Sequence, residues 1–250
     1  MERLNSDDID LYAATAAFAL DLAGEQEMQR YSRCHVWSQG PTAATKIVYI
    51  STACATPNKL AADFSARMGY TDACKAILTA SPRTTIVILP VFHQAEDEED
   101  HGHWSLLVRY PASPLDVLVG SSAIIWKHYD SMGLNVDKEW TAQQLLCRLL
   151  HDYTDTEGCQ KTLPVVLDEC KSMHRIAQRN DWECGYFVCH VIQHVLVECA
   201  RSDTAYVTSR SLTRTASSYD DWMARYETVD LHLRRARRKN DLTKIHGNIK

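Results

Sequence analysis

The sequence predicts an α+β fold with a mostly central sheet, and three observations carry that prediction. Helical patterns open the chain, and short β-branched and aromatic runs gather in its middle. The most apolar helical stretch, Cys184–Cys199, returns late. Helices set apart from a run of strands point to this class rather than to regular βα alternation.

The elements follow in order. Asn5 or Ser6 can cap a helix through the alanine-rich stretch to about Leu22, ending near Gly24. Lys46–Ile50 is short and β-branched, a strand. Helical spacing recurs over Asn58–Met68 and Asp72–Thr79. Strand patterns then run over Thr84–Val91, His103–Tyr110 and Ala123–Tyr129. Trp140–Leu150 reads as an amphipathic helix, Leu163–Leu167 as a further strand, and Tyr219–Arg235 as the last helix. The acidic run Glu96–Asp100, then His101-Gly102, reads as an exposed loop leading into His103. No repeat or low-complexity linker divides the 250 residues. One domain is expected over 1–250, its core from about 4 to 200, with a C-terminal helix and basic tail from about 218.

Hydrophobic content of 45% and charged content of 24% are ordinary for a globular chain. The net charge of −5 argues against nucleic acid as a partner. The basic run Arg234–Lys239 reads as a solvated helix end or tail. Nine cysteines, an odd number with no CxxC, suit a reducing compartment. No apolar run reaches the roughly 20 residues that span a bilayer, and the start Met1–Asp8 is acidic rather than signal-like. The expectation is an intracellular monomer, cytoplasmic or nuclear, without membrane attachment. A microbial enzyme acting inside a host cell would read the same way.

The chemistry centres on Gln178–Cys189. A polar segment gives way at Cys184-Gly185 to an apolar run, which places Cys184 at a helix N-terminus. Unpaired N–H groups and the helix dipole there favour thiolate, the attacking form. Cysteine acyl transfer also needs a histidine and an acceptor that fixes its tautomer. Of eleven histidines, His103 has the best setting, opening a strand after Gly102. Asp130 ends the next strand, so the two can meet if those strands are neighbours. His190 and His194 are four apart on a helix but lack the adjacent glutamate of a zinc motif. His101-Gly102-His103 has no cysteine pair to complete a site. No metal or cofactor is expected.

Together, His103-Trp104, Tyr129-Asp130-Ser131 and Gln178-Arg179-Asn180-Asp181-Trp182-Glu183-Cys184-Gly185 resemble the motifs of the ubiquitin-like-protein proteases. These are the Ulp and sentrin-specific type, papain-like cysteine peptidases of clan CE. The resemblance runs from Leu4 to about Cys199. It implies a papain-like cysteine protease fold, a central mixed or antiparallel sheet flanked by helices. It also implies Cys184 as nucleophile, His103 as base and acid, Asp130 as orienter, Gln178 as oxyanion donor and Trp104 as a wall of the tunnel that admits a Gly-Gly tail. The implied partner is a ubiquitin-like modifier and its conjugates. The compact chain resembles the small deneddylases more than the larger desumoylating members. Two features depart from the pattern: Arg3 stands where the family has a tunnel tryptophan, and Pro111–Gly120 reads as an inserted hairpin. Two other functions fit the same residues: acetyl transfer from acetyl-coenzyme A, as in other clan CE proteins, and an inactive modifier-binding module.

Overall fold

The computed structural model describes residues 1–24, 34–38, 45–52, 84–94, 102–111, 124–132, 142, 165–169, 178–201 and 219–247. Helix α1 spans Ser6–Ala19. The Asn5 side chain accepts the Asp8 N–H at 3.0 Å, and the Asp8 carboxylate accepts the Asn5 N–H at 3.2 Å, a reciprocal capping box. The helix stops short of the expected Leu22. The chain turns through Asp21, at φ 55°, into the two-residue strand β1, Ala23–Gly24.

Six more strands follow: β2 (Cys34–Ser38), β3 (Lys46–Ile50), β4 (Thr85–His93), β5 (His103–Arg109), β6 (Ile124–Tyr129) and β7 (Val165–Glu169). All lie in one sheet in sequence order. The β3–β4 and β6–β7 joins are parallel and the others antiparallel, so the sheet is mixed. A parallel join requires a crossover of a dozen or more residues. The helical patterns Asn58–Met68, Asp72–Thr79 and Trp140–Leu150 fall in those two crossovers. They lie outside the described residues, apart from Ala142, which is helical and buried.

Helices α2 (Glu183–Arg201) and α3 (Tyr219–Gly247) complete the described elements. Alternation along the strands sends Tyr49, Ile88, Trp104, Leu106 and Val108 into a core shared with α1, α2 and α3. Every residue from Glu183 to Cys189 is buried. An α-helix buried on consecutive positions is central to its core rather than laid on the surface. Each of its fully buried Val, Ile and Leu side chains contributes about 1.5–3 kcal/mol.

Helix α3 runs well past the expected Arg235, and the basic run belongs to it rather than to a tail. Arg237 pairs with the buried Asp8 at 2.7 Å, tying α3 to the first turn of α1, where a carboxylate also suits the helix dipole. Arg234 pairs with Asp230 one turn back at 2.7 Å. Lys239 lies 5.0 Å from the centre of the Phe18 ring.

Candidate active site

The register of three strands sets the site. His93 on β4 stands opposite His103 on β5, and Tyr129, the last residue of β6, stands opposite Leu106. Antiparallel β5 and β6 therefore bring His103 and Asp130 to one end of the sheet. Gly102 has φ +70°, and a Cβ there would meet Phe92 Cζ at 2.4 Å and the His93 carbonyl at 2.8 Å. Only glycine fits this entry into His103.

His103 Nε2 and Asp130 Oδ1 are 2.7 Å apart, with both side chains buried. The Met132 N–H also donates to Asp130 Oδ1, at 2.8 Å, fixing the carboxylate in an Asx turn. Burial alone would push the Asp130 carboxyl up. The hydrogen bond and charge of His103, the Met132 N–H and the charge of His128 outweigh it and hold the group below its ordinary range.

The His103 ring also faces Cys184, whose side chain helps to hold a proton on it. An imidazole offers two nitrogens; with Nε2 held by Asp130, Nδ1 is left for the sulfur. Burial draws His103 down, but its bonds to Asp130 and Cys184 and their charges raise it above the ordinary imidazole value. Burial pushes the Cys184 thiol up, yet the bond and charge of His103, the Trp104 backbone N–H and the charge of Arg3 bring it below the ordinary thiol value. The opposite shifts favour a thiolate–imidazolium pair. Cys189 and Cys199, deeper in α2, go the other way: burial pushes both up, Cys199 to about 12.

The loop before α2 is anchored by Glu183, 1% exposed. Its carboxylate accepts from Asn180 Nδ2 at 2.7 Å, the Arg179 N–H at 3.2 Å and the Tyr219 hydroxyl at 2.5 Å. Arg179 stacks on the Tyr219 ring at 4.0 Å, so the first turn of α3 braces the same loop. At the loop's start the Gln178 N–H donates to the Ser131 carbonyl at 2.8 Å, which places Gln178 beside the turn that follows Asp130. Just after Cys184, a Cβ on Gly185 would meet Leu4 Cβ at 2.8 Å. The absence of a side chain lets the N-terminal segment close against the start of α2.

The Trp104 backbone helps to lower the Cys184 thiol, while the residue is 6% exposed and its ring packs on Phe92 at 4.7 Å. Arg3 Nη2 donates to both the carbonyl oxygen and Oδ2 of Asp181, each at 2.9 Å, and Cys184 Sγ lies 3.8 Å from that same carbonyl oxygen. The position expected to hold a tunnel aromatic thus carries a cation whose charge acts on Cys184.

Several residues here went unremarked in the sequence. Ser105 Oγ bonds His93 Nε2 at 2.7 Å and His128 Nε2 at 2.8 Å, linking the two rings. His93, His128 and Asp130 offer ligand atoms within 4.8 Å of one another, the cluster among the described residues that could hold a metal. One histidine on β4 and one on β6, 35 positions apart, give no sequence signal for it. His190, half of the helical histidine pair, accepts instead from Arg225 Nη1 at 2.9 Å; burial, with the charges of Arg225 and His194, lowers it to about 3. The Glu96–Asp100 run and residues 112–120 of the expected insertion lie outside the described residues.

No protein-family model and no curated protein matches the chain. Among solved structures, the Legionella pneumophila effector protein RavZ matches at a TM-score of 0.51 and 13% identity, over 91% of this chain and 64% of that one. The chain therefore spans less than two thirds of the RavZ structure. A structure titled as the de-sumoylating protease matches at 0.47 and 13% identity, over 98% of this chain and 82% of that one. The SUMO protease Ulp1 matches at 0.35 and 16% identity, over 94% and 98%. The likeness to RavZ is one of fold. The α+β fold with a mixed sheet flanked by helices, implied by the sequence resemblance, is the fold found.

Proposed function

We propose that this protein is a cysteine peptidase that cleaves after the C-terminal Gly-Gly of a ubiquitin-like modifier. One observation carries the catalytic part. The thiol of Cys184 is drawn below its ordinary value by a ring whose far nitrogen is held on a buried carboxylate, while the two cysteines behind it are driven up. The Gly-Gly specificity rests on the resemblance of the three motifs.

In this reading the Cys184 thiolate attacks the carbonyl carbon of the terminal glycine. The Gln178 amide N–H group stabilises the oxyanion as it forms. His103 gives its Nδ1 proton to the leaving lysine amine, and the C–N bond breaks to leave a thioester. His103 then takes a proton from water, whose oxygen attacks the thioester. The thiolate and the modifier's carboxylate are regenerated. Asp130 holds the tautomer throughout. No step calls for a cofactor. Among modifiers, the likeness to the small deneddylases favours the neddylation modifier, with SUMO and ubiquitin next, and the reading places the enzyme inside the cell.

The test is hydrolysis of ubiquitin, SUMO and the neddylation modifier, each carrying a fluorogenic C-terminal amide. Release from at least one, abolished by Cys184→Ala, is expected. No release from any, with acetyl transfer from acetyl-coenzyme A to an acceptor protein instead, would overturn the proposal.

A further inference from the structure

We infer that Ser131 is a positioning residue for the oxyanion donor, setting which end of the Gln178 amide faces the reacting carbonyl. The inference rests on the peptidase reading above and adds to it a residue with no assigned role.

The argument starts from the ambiguity of an amide. Its two ends are similar in shape, but one is an acceptor and the other a double donor. An oxyanion is stabilised only by the donor end; a carbonyl oxygen turned toward it would repel. The chain must therefore specify the orientation, and a lone glutamine with several rotatable bonds does not.

Ser131 supplies that specification twice. Its carbonyl accepts the Gln178 backbone N–H at 2.8 Å, fixing where the side chain begins. Its hydroxyl donates to Gln178 Oε1, fixing where the carbonyl end points. With Oε1 held by Ser131, the NH₂ group is the end left to donate elsewhere. Ser131 is 4% exposed, so water competes little for its hydroxyl. It also follows Asp130 directly, and the Asp130 carboxylate holds the next N–H, that of Met132, at 2.8 Å. One tight turn thus aims two groups, the imidazole through Asp130 and the amide through Ser131. Electrostatic stabilisation of this kind depends on donors being oriented before charge develops.

A bulky reagent specific to one modifier is not needed to test this. Hydrolysis of a small activated ester, p-nitrophenyl acetate, passes through an oxyanion. Alkylation of Cys184 by iodoacetamide displaces iodide and forms none. Removing one oxyanion donor costs about 10²–10³ in kcat, and loosening one should cost less. Ser131→Ala is expected to slow acyl transfer to the ester about 10- to 100-fold while leaving the alkylation rate unchanged. Ser131→Thr, which keeps the hydroxyl, should restore most of the loss. In a Gln178→Ala background Ser131→Ala should have no further effect, because the group it aims is gone. Wild-type ester hydrolysis by Ser131→Ala would overturn the inference. So would losses that multiply independently in the double variant, or alkylation that falls in step with hydrolysis. Should the ester follow this pattern while no modifier amide is cut, Ser131 keeps its role and the modifier reading alone falls.

Discussion

Arg3 gives the most quantitative test of how the Cys184 thiol is drawn below its ordinary value. Its Nη2 and the Cys184 sulfur share the Asp181 carbonyl oxygen, at 2.9 and 3.8 Å. Laid end to end, those distances put the guanidinium at most about 7 Å from the sulfur, where a unit charge in a medium of effective dielectric about 20 acts with about 2 kcal/mol. Two features reduce that figure. The Arg3 side chain is 28% exposed, and the opposing Asp181 carboxylate, 71% exposed, sits against it. A net effect of about 1 kcal/mol remains, or about fivefold less thiolate at a pH below the thiol's midpoint. Arg3→Ala should therefore slow iodoacetamide alkylation of Cys184 about fivefold at mildly acid pH, with the rates converging at alkaline pH. Asp181→Asn removes the opposing charge and should move the rate the other way. High salt should shrink both effects, since the pair is partly exposed. An Arg3→Ala protein that folds normally and alkylates at the wild-type rate across the pH range would refute the reasoning.

The remaining predictions concern the triad and its support. Turnover should rise with pH as Cys184 loses its proton, below the ordinary thiol range, and fall as His103 loses its own, above the ordinary imidazole range. A pH–rate profile whose alkaline limb lies below the ordinary imidazole value would contradict the pairing. Asp130→Asn removes the charge that supports His103 and places an amide where Asp130 Oδ2 is buried without a hydrogen bond. It should lower kcat by about 10²–10⁴ through loss of the charge and the wrong tautomer, and kcat within a factor of two of wild type would exclude Asp130 as orienter. Gly185→Ala forces a methyl against Leu4, which is 2% exposed. It should destabilise the fold by about 1–3 kcal/mol in chemical denaturation and lower turnover as well; an unchanged unfolding midpoint would show that the segment yields freely.

The meeting of Cys184, His103 and Asp130 was legible because each stands at an element boundary that local sequence marks. Gly102 precedes His103, the Asp130-Ser131 turn ends β6, and a polar run breaks into apolar helix at Cys184. Strand β2 was not legible. Cys34-His35-Val36-Trp37-Ser38 lacks clean alternation and is held by its neighbour, with Trp37 stacked on Tyr49 at 5.5 Å and His35 paired across from Tyr49. Strand β4 continues through Pro90 to His93, past the expected end at Val91. The β3 register ends at Tyr49 opposite Ile88, so Pro90 has no β3 partner across from it and its missing N–H costs no bond on that side. The roles of Arg3 and Ser131 depend on residues 178 and 47 positions away. Spacing cannot report such distances, although both residues stood inside or beside a recognisable motif.

The most direct test of the central claim is capture by a modifier tipped with a C-terminal electrophile, read by intact mass and peptide mapping. The account predicts a one-to-one adduct on Cys184 with at least one modifier. Cys184→Ala should form none while still binding that modifier noncovalently. An adduct mapped to Cys34, Cys189 or Cys199, or one that persists in Cys184→Ala, would contradict it.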